Sequence, residues 1–195
     1  MGCWGITAFE SDTGLDAIEF IREKLPVGGK VELDKLLENL RGDSWNAPPD
    51  VESAGAHTSV MALAELMIKF VDGDMGSLDY EDEWAKGERK FSSITSFAAS
   101  RETVLWIRNY MFDTLRHIKE EAGAQTEDDK KWGGWFEEKN WIGWQEHMAE
   151  LVSRLDTLLE SSEAEIELIP IQTTEHHEME NSKETELPLQ NKLGL

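Results

Sequence analysis

The stretch from about His57 to Asp72 constrains this chain more than any other. Val60, Leu63, Ala64, Met67 and Phe70 form one face of a helix, and Met61, Leu66, Ile68 and Val71 occupy much of the rest. A helix that is apolar nearly all round has no side to give to water, so it must be surrounded by other elements. Gly73 ends it. The fold is therefore expected to assemble around this helix.

The covering elements read as helices too. Leu15, Ile18, Ile21 and Leu25 repeat at helical spacing from about Asp12 to Leu25, with Ser11 or Asp12 placed to accept from the first free N–H groups and Pro26 with Gly28-Gly29 beyond the end. Val31 to Arg41 directs Leu33, Leu36, Leu37 and Leu40 to one side, and Gly42 suits a C-terminal cap. Residues 43–56 contain Pro48-Pro49 and Gly55 and read as a loop. Val104, Ile107, Met111, Leu115 and Ile118 keep helical register from Ser100 to about Ala122, and Gly123 closes it. A last long helix runs from about Asn140 to Glu160, with Trp141, Trp144, Met148, Leu151, Val152, Leu155 and Leu158 inward. Phe91 to Ala99 fits either helix or irregular chain. Ile166, Leu168, Ile169 and Ile171 alternate loosely around Pro170 and suit a short extended piece laid on the body. No strand signal persists elsewhere. The expectation is an all-α, single-domain bundle of about five to six helices over residues 1–162, followed by an acidic, disordered tail over 163–195.

Charge narrows the function classes. The net charge is −21, and the tail supplies −6 of it with eight Glu against two Lys, so the body holds −15. Nucleic-acid binding relies on neutralising phosphates with Lys and Arg, and an acidic body is unsuited to it. Anionic membrane surfaces are disfavoured for the same reason. A basic protein partner is favoured, because opposite charge steers the encounter. The single cysteine, Cys3, rules out an intramolecular disulfide and suits a reducing cytoplasm. No apolar run is long enough for a bilayer and no secretory signal is visible. Met1-Gly2-Cys3 resembles a lipidation start, but Ile6 stands where myristoylation wants Ser or Thr.

The opening is Met1-Gly2-Cys3-Trp4-Gly5-Ile6-Thr7-Ala8-Phe9-Glu10-Ser11-Asp12. Chain ends are usually polar and loose; this one reads as built to dock. Gly2 and Gly5 permit close approach or unusual backbone angles, and Trp4 and Phe9 are expected to plug the core beside the first helix. These residues resemble the bacterial domain-of-unknown-function family 4259, whose members open with Met-Gly-small-Trp-Gly, then Phe, then Asn-Asp and a helix. Ala62-Leu63-Ala64-Glu65, and Trp144 with Arg154-Leu155, are similar in outline. The likeness spans roughly residues 1–160, with the opening its distinctive part. Cys3 and Glu10-Ser11 depart from the pattern, and the Trp–Gly–Phe frame remains. The resemblance implies no reaction and no catalytic residues.

Chemical motifs are sparse. Asp72 to Glu83 places carboxylates at positions one, three and twelve of a calcium loop, but Ser77 replaces the turn glycine, Gly76 replaces a ligand and Asp79 sits at an apolar position. His57, His117 and His147 are scattered; His147 with Glu150 would be half of a carboxylate–His site in reversed order and without a mate. His176-His177 lies in the tail. There is no Gly-x-Ser-x-Gly elbow and no P-loop. No catalytic residue, metal or cofactor is assigned. The best candidates for a binding surface are the aromatic group Trp132, Trp135, Phe136, Trp141 and Trp144 and the acidic run Asp79, Glu81, Asp82 and Glu83. The residues point to a non-catalytic acidic module that binds a basic protein, such as an immunity protein against a basic toxin. The alternative is a small helical enzyme or a ligand- or metal-binding domain with a site of scattered carboxylates and aromatics.

Overall fold

The structure, a computed structural model, describes residues 2–53, 57–79, 90–124 and 138–170. Among the described residues five α-helices stand where the apolar periodicity put them: α1 (Asp12–Lys24), α2 (Leu33–Gly42), α3 (Thr58–Val71), α4 (Arg101–Ala124) and α5 (Trp141–Leu158). In α3 every residue from Thr58 to Ile68 is buried, and Phe70 with them. It packs against α1, α4 and α5, so it is the central helix that its all-round apolar surface demands.

The all-α expectation is wrong. Three short strands, β1 (Lys30–Glu32), β2 (Ser96–Ser100) and β3 (Glu165–Leu168), form a mixed sheet in the order β1-β2-β3. The fold is predominantly helical α/β. β1 pairs parallel to β2, with Val31 opposite Phe97, and β2 pairs antiparallel to β3, with Ala99 opposite Ile166. A parallel pair needs a long crossover; here it carries α2 and α3. Val31, Phe97, Ala99, Ile166 and Leu168 are all buried, so one sheet face completes the core. Phe70 of α3 meets Phe97 of β2 edge-on at 5.5 Å between ring centroids. The short extended piece expected around Ile166 is β3, which lies on the body through Ile166 and Leu168.

Polar ties fix these elements. Asp34, at the start of α2, accepts from Ser100 N at 2.8 Å, Ser100 Oγ at 2.5 Å and Thr103 Oγ1 at 2.6 Å. Burial alone would raise this carboxyl, and the Ser100 and Thr103 donors outweigh that and hold it below the usual range. Arg101 holds the carbonyls of Leu159 and Ser161 through its guanidinium, and its backbone N–H donates to Ala164 O at 2.8 Å, fastening β3 to the start of α4.

The N-terminus folds back on itself. Trp4 N donates to Glu10 O and Asp12 N to Gly2 O, each at 3.0 Å, around a 3-10 turn at Ala8–Glu10. Ser11 Oγ accepts from Gly14 N at 3.0 Å and caps α1. A side chain at position 14 would collide with the Ala8 carbonyl, so only glycine lets the turn sit on the helix. Trp4 does not plug the core. It is 51% exposed, while Ala8 is fully buried and Phe9 packs at the core's edge. The turn seats a small residue against α3, and the indole is left outside.

Trp144→Ala removes a ring that is 1% exposed and should cost about 3–5 kcal/mol. Trp4→Ala should lower the melting temperature by much less. Calorimetry on the two variants checks the order.

Candidate cleft at the buried Glu65–His147 pair

Glu65 is a charged residue in the middle of the most apolar helix, and it is 4% exposed. A buried carboxylate needs donors or it is strongly destabilising. Its Oε1 receives two: the N–H of Ala8 at 2.8 Å and Nε2 of His147 at 2.8 Å. A single oxygen on α3 thereby holds both the N-terminal turn and α5. With Glu65 ionised and accepting, Nε2 of His147 is the donor of this bond. Among the described residues Oε2 of Glu65 has no hydrogen-bond partner, and it is buried.

A second carboxylate lies in the N-terminal turn. One oxygen of Glu10, Oε2, accepts from Ile6 N at 2.9 Å, Thr7 N at 3.1 Å and Thr7 Oγ1 at 3.1 Å. The Thr7 backbone N–H is the main cause that holds the Glu10 carboxyl below its ordinary range; burial opposes it and the Ile6 N–H adds to it. Gly5 makes room, since a Cβ there would run into the Glu10 carboxylate. Of the two roles open to Gly5, unusual backbone angles or close approach, it takes the second.

These groups line a cleft of about 750 Å³ between the N-terminal turn, α1, α3 and α5. Ile6, Phe9, Leu15, Ile68 and Leu151 make its apolar walls. Glu10, Glu65, His147 and Glu150 contribute its polar side. Two cations also line it, and carboxylates already hold both. Arg154 grips Asp72 in a two-bond fork at 2.9 and 2.5 Å, and Lys69 contacts Asp74 at 2.7 Å and Ser77 Oγ at 2.8 Å. The cleft's lining carries four carboxylates, Glu10, Glu65, Asp72 and Glu150, against the two cations Lys69 and Arg154.

The residues singled out from sequence are placed differently. Trp141 and Trp144 stack at 5.8 Å with planes 15° apart, Trp144 buried and Trp141 packed at the core's edge, so neither opens a broad aromatic surface. Trp132, Trp135, Phe136, Glu81, Asp82 and Glu83 lie outside the described residues. Asp79 accepts from Phe91 N at 2.7 Å and Ser92 N at 2.9 Å, capping a short turn. Of the calcium-loop carboxylates, Asp72 and Asp74 are taken by Arg154 and Lys69. Among the described residues no group of three or more His, Cys, Asp or Glu is arranged to hold a metal. His147 finds its carboxylate on another helix, Glu65, while Glu150 lines the same cleft. Sequence reasoning missed Glu65 as a site residue, although one acid inside an apolar helix was the signal.

A further buried histidine is accounted for by structure. His57 Nδ1 lies 2.7 Å from Tyr110 Oη, which donates to Pro49 O at 2.8 Å. Burial pushes the His57 imidazole down and the Tyr110 phenol up, so both stay neutral and tie the 43–53 loop to α4.

No protein-family model matches the chain, and neither the curated proteins nor the solved structures contain a match. No helix among the described residues is long and apolar enough to cross a membrane.

Glu10 gives the site a pH signature. Its folded-state carboxyl is lowered, so its contribution is full above the unfolded value of about 4.3 and is lost as pH falls through the lower folded value. Urea midpoints from pH 7 to pH 3 should therefore fall more steeply for the wild type than for Glu10→Gln, which should already be weaker at pH 7. Parallel curves would contradict this.

Proposed function

We propose that this protein is a non-catalytic acidic binding module for a basic protein, with an immunity protein that neutralises a basic toxin as the specific form of that role. The observation that carries the reading is the cleft: its lining holds four carboxylates, Glu10, Glu65, Asp72 and Glu150, against two cations, Lys69 and Arg154. The body around it has a net charge of −15 over residues 1–162. Such a surface speeds and selects encounter with a basic partner. The single cysteine suits a cytoplasmic setting. The resemblance of the opening to family 4259 adds no reaction to this reading.

The alternative, a small helical enzyme or ligand-binding domain, draws on one observation, the Glu65–His147 pair at the cleft. A carboxylate that orients an imidazole is a component of acid–base sites. Among the described residues, however, no hydroxyl or thiol is hydrogen-bonded to His147.

The test begins with the full-length chain immobilised and exposed to extract of its native host. The retained protein is then purified and titrated by calorimetry at two ionic strengths. The reading expects a basic partner whose affinity drops as salt rises. Failure to retain any protein, or a partner whose affinity ignores salt, would overturn it.

A further inference from the structure

We infer that His57 and Tyr110 form a pH-operated latch, which holds the 43–53 loop against the body while the imidazole is neutral and releases it when the ring takes a second proton. The latch is independent of the binding-module reading, since neither residue lines the cleft.

Two contacts pin the segment from Pro49 to Ser53, one at each end. Tyr110 Oη, on α4, donates to Pro49 O at 2.8 Å, and Nε2 of His57, the residue before α3, lies 3.3 Å from Ser53 O. His57 Nδ1 and Tyr110 Oη, 2.7 Å apart, join the two pins. Both side chains are buried, His57 at 4% exposed and Tyr110 at 7%. The two carbonyls can only accept. With the Tyr110 proton given to Pro49 O, Nδ1 is the donor to Tyr110 Oη, and the Ser53 contact needs hydrogen on Nε2 as well. A neutral imidazole carries one N–H and makes two of the three contacts. An imidazolium carries two and makes all three.

The third contact does not offset the charge it requires. Among the described residues no carboxylate is paired with the His57 ring; its partners are a phenol and a carbonyl. His147, by contrast, has Glu65 at 2.8 Å. A buried cation without a counter-charge is strongly disfavoured, and one long bond to a neutral acceptor recovers little of that. Two further titratable groups face the pair: His117 of α4, whose charge opposes one on His57, and Asp50 of the loop, which acts on Tyr110. Burial is the main cause that holds the His57 imidazole below its ordinary range; the Ser53 carbonyl opposes it and His117 adds to it. The closed loop therefore binds the second proton more weakly than an open one, in which water reaches the ring. Its stability is full above the open-state value of about 6.5 and is lost as pH falls through the lower closed-state value. Release uncovers Val51, which packs at the core's edge, and the Tyr110 ring, whose centroid lies 5.2 Å from that of Trp106.

The experiment follows the full chain, labelled with ¹⁵N, from pH 8 to pH 5. It reads the His57 ring signals and the hydrogen-exchange protection of loop amides, corrected for the intrinsic pH dependence of exchange. The reporters are the Ala47 N–H, bound to Asp43 O at 2.9 Å, and the Ser53 N–H, bound to Asp50 O at 2.9 Å. Their protection should fall as pH drops below about 6.5, by up to about tenfold per pH unit, while the amides of Leu63 and Ala64 in α3 keep theirs. His57→Gln, which cannot titrate, should flatten the profile, and His117→Gln should retain the step. If His57→Gln does not fold, the wild type carries the test: its His57 ring must titrate with a midpoint below about 6.5, and the loss of loop protection must accompany that titration. Constant loop protection, tighter protection in acid, or a parallel loss in α3 would overturn the inference. So would a step that persists in His57→Gln or vanishes in His117→Gln.

Discussion

One carboxylate oxygen connects the parts of this protein. Oε1 of Glu65, set in the central helix, accepts the Ala8 N–H from the N-terminal turn and the Nε2–H of His147 from α5. Burial makes both bonds matter, since a charge out of water is tolerated only with donors in place. The turn and α5 are two walls of the cleft, and α3 lies between them. The interaction that joins the three elements thus also sets the shape of the space they enclose.

The helices were legible because burial on one face writes itself as a period of 3.6. Ile18 and Ile21 in α1, Leu36, Leu37 and Leu40 in α2, and Ile107 and Met111 in α4 are all buried as that period requires. The sheet was not legible because its strands are only three to five residues long. β1 offers one buried residue, Val31, before α2 begins. β2 reads Ser-Phe-Ala-Ala-Ser, with too little alternation to separate it from a helix. Its identity is set by long-range pairing with Val31 and Ile166, which no local window contains.

The N-terminal motif shows a different limit. Hydrogen bonds from residue 2 onward tie the opening back to α1, and the Ala8 N–H reaches α3. Size misled about which residue docks. The turn brings its backbone so close to α1 and α3 that only Ala8 and Gly14 fit, and the large Trp4 is displaced outward. The carboxylates of the site were visible as types, but the pairing of Glu65 with His147 spans 82 residues and arises from the packing of α5 on α3.

The proton on His147 is the most direct check of this account. Long-range ¹H–¹⁵N spectra of the imidazole at neutral pH report which ring nitrogen carries hydrogen. The arrangement around Glu65 requires a protonated Nε2, with its proton shifted downfield by the carboxylate and the shift lost in Glu65→Gln. An imidazole whose ring-nitrogen signals do not respond to Glu65→Gln would mean that Glu65 does not hold α5 and that the cleft is not built in this way.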